Sequence, residues 1–303
     1  MPFSYGFIGL GQMGAPMAAN LLNKLGTLVV YNRSQAPCLA LQQKGAVVAA
    51  NIRDVSDHSD IICLALPGPV EVQDVVAGPE GLFASGRSGQ TILDFSTVAP
   101  AQSRDLSRLA AEKGLKYIDI PVSGGGIGAT KATLSLMIGA SREEIEEAGL
   151  MPCLEAIGNV FHFIGTRGGG SAIKIINNFL SFTAQVMNGE AILMAEHLGI
   201  PLETFYEVVM SSSGNNTILG AKKDKVLKND LTPGFVVELV LKDLELARQL
   251  CQDSGIANFT LNTGIQFYRM AQRHGYGKSD SSSVIRMIRD LEPLSAEMSA
   301  NDS

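Results

Sequence analysis

Charge is scarce in this sequence. Only 18% of its 303 residues are charged, and the formal net charge is -6. That acidic balance argues against nucleic acid or an anionic membrane surface as the main partner, because both need clustered lysine and arginine. Cysteine is sparse too: Cys38, Cys63, Cys153 and Cys251 lie far apart and form no CxxC pair. Neither a disulfide framework nor a zinc site is expected from them, and a reducing, cytoplasmic compartment fits. The histidines His58, His162, His197 and His274 are equally dispersed, with no HExxH, so no metal ligand set is read. No apolar run reaches the roughly 20 residues of a membrane helix. Residues 1–10 are apolar but have no basic n-region and no cleavage site, so no secretory or organellar leader is expected. The 32 glycines cluster without a period, which excludes collagen-like and linker readings.

What is present is a large apolar fraction, 46% of residues, enough for one large domain or two ordinary ones. The first half alternates nearly continuous apolar runs at 5–10, 28–31, 61–66, 91–94 and 116–120 with helical stretches such as 15–24, 70–76 and 100–113. Strands that apolar must be covered on both faces, so the alternation predicts an α/β doubly wound parallel sheet. Two further runs, 134–138 and 160–164, are expected to extend that sheet, with a helix over 142–156 between them. After Gly168-Gly169-Gly170 a stretch from Ser171 to Leu198 has no proline or turn signal, enough for a helix about 40 Å long. Beyond it the pattern is helices broken at Pro201, at 211–216, at Pro233-Gly234, at Asn258 and at 274–279. The expected organisation is a Rossmann-type dinucleotide domain over 1–166, an all-α C-terminal domain over 167–295 and a frayed tail over 296–303.

The first strand runs into Gly9-Leu10-Gly11-Gln12-Met13-Gly14 and then a helix. In that context Gly9 permits the tight turn, Gly11 admits a pyrophosphate to the backbone, and Gly14 lets the helix pack on the strand. The helix N-terminus supplies N–H donors to the anion. A purely structural glycine turn is the competing reading. The second strand ends in Asn32-Arg33-Ser34, without the carboxylate that would accept from an NAD ribose hydroxyl. An amide, a guanidinium and a hydroxyl suit a 2′-phosphate, so NADP is preferred, with NAD as the alternative and a merely solvated Arg33 as the bland one.

Three other segments carry chemistry. Asp94-Phe95-Ser96-Thr97 closes a strand at the edge where such folds bind ligands. Ser123-Gly124-Gly125-Gly126 offers a hydroxyl and successive N–H groups to a carboxylate. Lys174 stands among Ala172, Ile173, Ile175 and Ile176, and Asn178 lies one turn on. A desolvated lysine trades a proton near neutral pH. The residues alone favour a lysine snorkelling from an amphipathic helix.

The run from Phe7 to Asn20 resembles the opening signature of the β-hydroxyacid dehydrogenases, which include 3-hydroxyisobutyrate dehydrogenase and the semialdehyde reductases. Ser96-Thr97, the Pro121-to-Gly125 block, Lys174-to-Asn178, and Phe235 followed by Lys242-Asp243 resemble its later blocks, in order. The resemblance implies a Rossmann domain, a long interdomain helix, an all-α domain, and hydride transfer between NADP or NAD and a small carboxylate-bearing hydroxy acid or semialdehyde. Lys174 would be the general acid/base. Ser123, Gly124 and Gly125 would hold the substrate carboxylate, and Asn178 would position the reacting oxygen and Lys174. Gln12 and Met13 would join the three glycines and Asn32, Arg33 and Ser34 around the cofactor. Leu66 and Pro67 would border its adenosine side, Thr97 its nicotinamide, and Lys242 the cofactor and substrate together, with Phe235 and Asp243 nearby. For Thr97 and Lys242 the alternatives are a strand-end hydroxyl and a partner of Glu245.

The chain departs from the family where Lys131-Ala132 replaces a glycine before Thr133-Leu134, and where Gly139-Ala140 replaces a glycine pair. The tyrosine or aspartate of imine reductases is absent at the lysine position, and Asn177 stands where 6-phosphogluconate dehydrogenases have histidine. A catalytically silent NADP-binding protein and a reductase of another carbonyl or imine remain as alternatives, with a methyltransferase more remote. The long apolar helix is expected to pack on a second subunit, giving a homodimer or homotetramer.

Overall fold

The computed structural model describes residues 3–291, so the expected tail over 296–303 lies outside the described residues. Six strands form one sheet: β1 (Tyr5–Ile8), β2 (Val29–Tyr31), β3 (Val47–Val48), β4 (Ile61–Leu64), β5 (Thr91–Asp94) and β6 (Lys116–Asp119). Their order is β3-β2-β1-β4-β5-β6 with every pairing parallel, the doubly wound arrangement. Every residue of β1, β4 and β5 is buried. The reason is visible in β1. Phe7 points into one layer with Met17, Leu21, Cys63 and Ile118, while Ile8 points into the other with Val55, Ile62, Leu64 and Tyr117. A strand between two helical layers has no wet face, so apolar residues run on without alternation.

The expectation that 134–138 and 160–164 extend this sheet is not met. With β7 (Val122–Ser123), strands β8 (Leu134–Ile138) and β9 (Gly158–Phe163) make a separate sheet, order β7-β8-β9, antiparallel then parallel. The break lies at Pro121, which has no N–H to continue a ladder, and the chain runs on through it without reversing, leaving the first sheet and pairing as β7 with β8 in the second. Two backbone bonds tie β8 to the strand end it does not join, Met137 N–H to Pro121 O (3.0 Å) and Gly139 N–H to Asp119 O (2.8 Å). The helix expected over 142–156 is two short ones, Arg142–Glu147 and Met151–Glu155, because Gly149 turns left-handed (φ +65°) and Pro152 opens the second.

The chain divides into two compact units, Met1–Lys174 and Ile175–Ser303, and the division falls within the long helix Gly169–His197. Among the described residues the second unit is helical: Leu202–Met210, Thr217–Leu227, Val237–Asp253, Phe259–Ala271 and Ser283–Leu291, with a π-turn over Gln272–Tyr276. Its only β feature there is the isolated bridge Val236–Asp280. No helix of the described residues is long and apolar enough to cross a membrane.

Asp280 organises the second unit. Its carboxylate is fully buried, pairs with Lys222 Nζ at 2.7 Å, and accepts from the N–H groups of Gly234, Phe235 and Ser282. Burial alone would raise its pKa, but Lys222 and Ser282 hold it below the usual carboxylate range. A depressed folded-state pKa gives stability that is complete above about pH 4 and is lost as the pH falls through the lowered value. We expect Asp280→Ala to cost about 3–5 kcal/mol at pH 7, because it strands a largely buried lysine. Denaturant midpoints check this, and the penalty should shrink as the pH is taken below about 4.

Candidate functional site

The glycine turn follows β1. Gly9 has φ +95°, donates its N–H to Tyr31 O at 3.0 Å, and lies so close to Ala65 that an added Cβ would stand 2.4 Å from its carbonyl oxygen. An added Cβ on Gly14 would stand 1.9 Å from Gly9 O, so only glycine lets the helix Gly14–Leu25 start against the turn. Gly11 differs: an added Cβ would meet no protein atom within 4 Å. The fold itself therefore does not demand glycine there, and the space beside it is open. Gly11 and Gln12 are exposed and Met13 half-buried at the same turn.

Asn32 has a role the sequence did not suggest. Its Oδ1 accepts from Leu10 N–H at 2.9 Å, and its Nδ2 donates to Ser34 O and Oγ. The amide braces the turn, and Arg33 and Ser34 beside it are both exposed. Leu66 and Pro67 follow β4 and Thr97 follows β5, so the expected cofactor residues of this unit gather at the carboxyl ends of β1, β2, β4 and β5. Leu66 N–H donates to Ser96 Oγ (2.9 Å), and Ser96 N–H donates to Asp94 Oδ1 (2.9 Å). Asp94 Oδ2 accepts from Tyr117 Oη at 2.6 Å. Burial pushes the Asp94 carboxyl up, against the pull of Ser96 and Tyr117, and pushes the Tyr117 hydroxyl well up.

The expected carboxylate loop leaves β7 with Gly124 at φ +130° and Gly125 at φ +60°, opening the short helix Gly125–Lys131. An added Cβ on Gly125 would meet no protein atom within 4 Å. That helix ends on Ala132 in the left-handed region (φ +54°), at the position where the sequence resemblance leads one to expect glycine. Lys174 lies in the second turn of the long helix and is half-buried. The apolar neighbourhood expected from its sequence flanks is only partly real: Ile175 is buried, whereas Ile173 and Ile176 are 42% and 46% exposed. Residues adjacent in sequence point to different sides of a helix.

In the second unit, Asn178, Lys242 and Asp243 form one cluster. The Asn178 amide donates to Asp243 Oδ2, and Lys242 Nζ stands 2.9 Å from Asp243 Oδ1. Glu245, offered as the alternative partner of Lys242, is bonded by Arg248 and Arg269. The Phe235 ring stacks on Phe182, centroids 5.4 Å apart, and Asp280 holds its N–H. Sequence reasoning named Asp94 only as part of a strand-end segment, and it missed Asp119 and Asp280. The first two left a signal, each being the last residue of an apolar strand.

The two turn glycines separate folding from ligand binding. Gly11→Ala should leave the melting temperature near that of the parent yet weaken nicotinamide dinucleotide binding at least about tenfold. Gly14→Ala should lower stability as well, because its methyl collides with backbone. Thermal melts and fluorescence titration with NADPH read both.

Comparison with known proteins agrees with this geometry. Residues 4–165 match the NAD binding domain of 6-phosphogluconate dehydrogenase, and residues 168–288 match the NAD-binding family of NADP-dependent 3-hydroxyisobutyrate dehydrogenase. The chain is 35% identical over 291 residues to 2-(hydroxymethyl)glutarate dehydrogenase of Eubacterium barkeri, covering 96% of each. It is 34% identical to the NAD-dependent L-serine dehydrogenase of Pseudomonas aeruginosa, over 93% of this chain and 96% of that one. Among solved structures, 3-hydroxyisobutyrate dehydrogenase from Salmonella typhimurium superposes with a TM-score of 0.85 at 27% identity, over 94% of this chain and 99% of that chain. With both halves matched and a nicotinamide-binding turn in place, the chain belongs to the β-hydroxyacid dehydrogenase family of oxidoreductases.

Proposed function

We propose that this protein moves hydride reversibly between NADP and a small β-hydroxy acid or its semialdehyde, with Lys174 as general acid/base. The observation that carries the reading is where Lys174 is held. The first turn of its helix is bonded to Asp119 at the end of β6, beside the strand ends that bear the glycine turn and Thr97. Ligands of doubly wound sheets bind at that edge.

The bound nicotinamide supplies or accepts the hydride. In reduction, Lys174 Nζ gives its proton to the carbonyl oxygen as the carbonyl carbon becomes C–H, and the lysine is left as a neutral amine. In oxidation it takes the hydroxyl proton back. Ser123 and the Gly124 and Gly125 N–H groups hold the substrate carboxylate. Asn178, fixed by Asp243, orients the reacting oxygen, and Thr97 borders the nicotinamide face. Gly9, Gly11, Gln12, Met13 and Gly14 receive the pyrophosphate, while Leu66 and Pro67 border the adenosine. Lys242, with Phe235 and Asp243, completes the binding groups. The relatives with printed substrates include a hydroxymethyl dicarboxylic acid and L-serine, which supports a small hydroxylated carboxylate.

Arg33 and Ser34 support NADP, with no carboxylate at the end of β2 to repel a 2′-phosphate. NAD is the second reading, supported by the NAD-dependent relative. The assembly we propose is a homodimer or homotetramer, because Ile173, Ile176, Leu180, Met187, Met194 and Leu198 recur at helical spacing on the long helix with large apolar areas exposed. A second copy of the chain would bury that stripe.

Absorbance of the reduced nicotinamide tests the reaction, with NADPH and NADH run in parallel against glyoxylate and the succinic, methylmalonic and tartronate semialdehydes. Lys174→Ala should lower kcat by about 10²–10⁴-fold while NADPH still binds. Arg33→Ala should raise the Kd for NADPH more than that for NADH. Sedimentation should give a species larger than the 32.1 kDa chain, and Leu180→Glu with Met187→Glu should shift it toward monomer.

A further inference from the structure

Asp119 ends β6 with a carboxylate that is 1% exposed. Both oxygens are engaged by the start of the long helix: Oδ1 accepts from Gly168 N–H at 2.8 Å and Oδ2 from Ser171 N–H at 2.8 Å. The surroundings are shaped to admit it. A Cβ on Gly139 would stand 2.1 Å from Oδ1, and one on Gly170 would stand 3.1 Å from Oδ2. Gly168 adopts φ +77°, and Ser171 Oγ is bonded to Ser103 Oγ at 2.9 Å, which pins the same turn from the helix Pro100–Glu112. Arg167 Nη1 donates to Gly139 O at 2.7 Å.

A helix start needs only a neutral cap, which a surface serine or asparagine provides at little cost. Burying a carboxylate is expensive, and burial raises the pKa of Asp119 despite its two amide donors. What the charge adds is a stiff, two-pronged attachment: charge-assisted bonds are shorter and stronger than neutral ones, and an anion at a helix N-terminus is favoured by the dipole. The attached turn is the one immediately before Lys174. We propose that Asp119 is the positioning residue of the acid/base, fixing through Gly168 and Ser171 where Lys174 stands relative to the sheet edge. Asp119 touches no reacting atom, and its role rests on the assignment of Lys174 to proton transfer.

The test compares Asp119→Asn, Gly139→Ala, Lys174→Ala and a control, Leu41→Ala, which loosens the core of the same unit at a site remote in sequence from Lys174. Asp119→Asn turns one acceptor into a donor facing an N–H. Gly139→Ala leaves the aspartate in place but drives its carboxylate off the helix, so it serves if Asp119→Asn does not fold. Hydrogen exchange at the Ser171 amide should accelerate in both. The expected result is a fall in kcat of about 10–100-fold, the scale of a misplacement of about 1 Å, with the substrate KM and the NADPH Kd each within about threefold of the parent. Leu41→Ala, at similar lost stability, should keep its kcat. A kcat for Asp119→Asn and Gly139→Ala no lower than that of Leu41→Ala would overturn the positioning role. Full activity of Lys174→Ala would instead overturn the acid/base assignment itself, so the two failures are distinguishable.

Discussion

Buried aspartates that accept backbone N–H groups hold the loops of this protein where they are. Asp94 and Asp119 face each other across the β5–β6 register at the carboxyl ends of adjacent strands. Each is spent on the segment that must be fixed in place: Asp94 on the Ser96 turn that carries Thr97 and meets Leu66, Asp119 on the start of the helix that carries Lys174. An ionised carboxylate is costly to remove from water, and it is tolerated here because N–H and O–H donors replace the lost hydration. The Asp119 charge also raises the Asp94 carboxyl, so the two anions compete as well as cooperate. Loops built this way have few alternative arrangements, since any other leaves a buried anion unsatisfied.

The same device recurs in the second unit. Asp280 gathers Lys222, Gly234, Phe235 and Ser282, and so fixes the loop between Thr217–Leu227 and Val237–Asp253 that carries Phe235. Asp243 gathers Asn178 and Lys242 on a smaller scale. Asp94, Asp119 and Asp280 each convert irregular backbone, which has no ladder of its own, into a fixed surface, whereas Asp243 joins the side chains of two helices.

Close approach sets the complementary constraint. Gly139 and Gly170 make room for the Asp119 carboxylate, and Gly14 makes room for Gly9 O. Where the chain departs from the family the outcome differs between two positions. Ala140 is fully buried beside Gly139 without disturbing that room. Ala132, by contrast, takes a left-handed conformation that costs a residue with a Cβ about 1–2 kcal/mol relative to glycine. The strain lies at the end of the helix that begins in the expected carboxylate loop.

The parallel sheet, the phosphate turn, the long helix and the helical second half are all legible in the sequence, because each rests on local periodicity or on a glycine with one physical purpose. Short elements were not: the helix Gln35–Gln42 and the strands β3 and β7 are too brief to show a period. The second sheet was misread as an extension of the first because apolar runs state only that a strand is buried, and not which strand it pairs with. Side-chain surroundings were also beyond reach. Lys174 has apolar neighbours in sequence, yet Ile173 and Ile176 are exposed, and the bond from Leu10 N–H to Asn32 Oδ1 left no trace in the sequence. Periodicity and glycine spacing are properties of a few consecutive residues, so the fold class, the glycine turn after β1 and the long helix that carries Lys174 follow from the sequence alone. Asp119 reaches partners 49 and 52 residues away in the chain and Asp280 reaches Lys222 58 residues away, and a contact of that span exists only once the sheet and helices have packed.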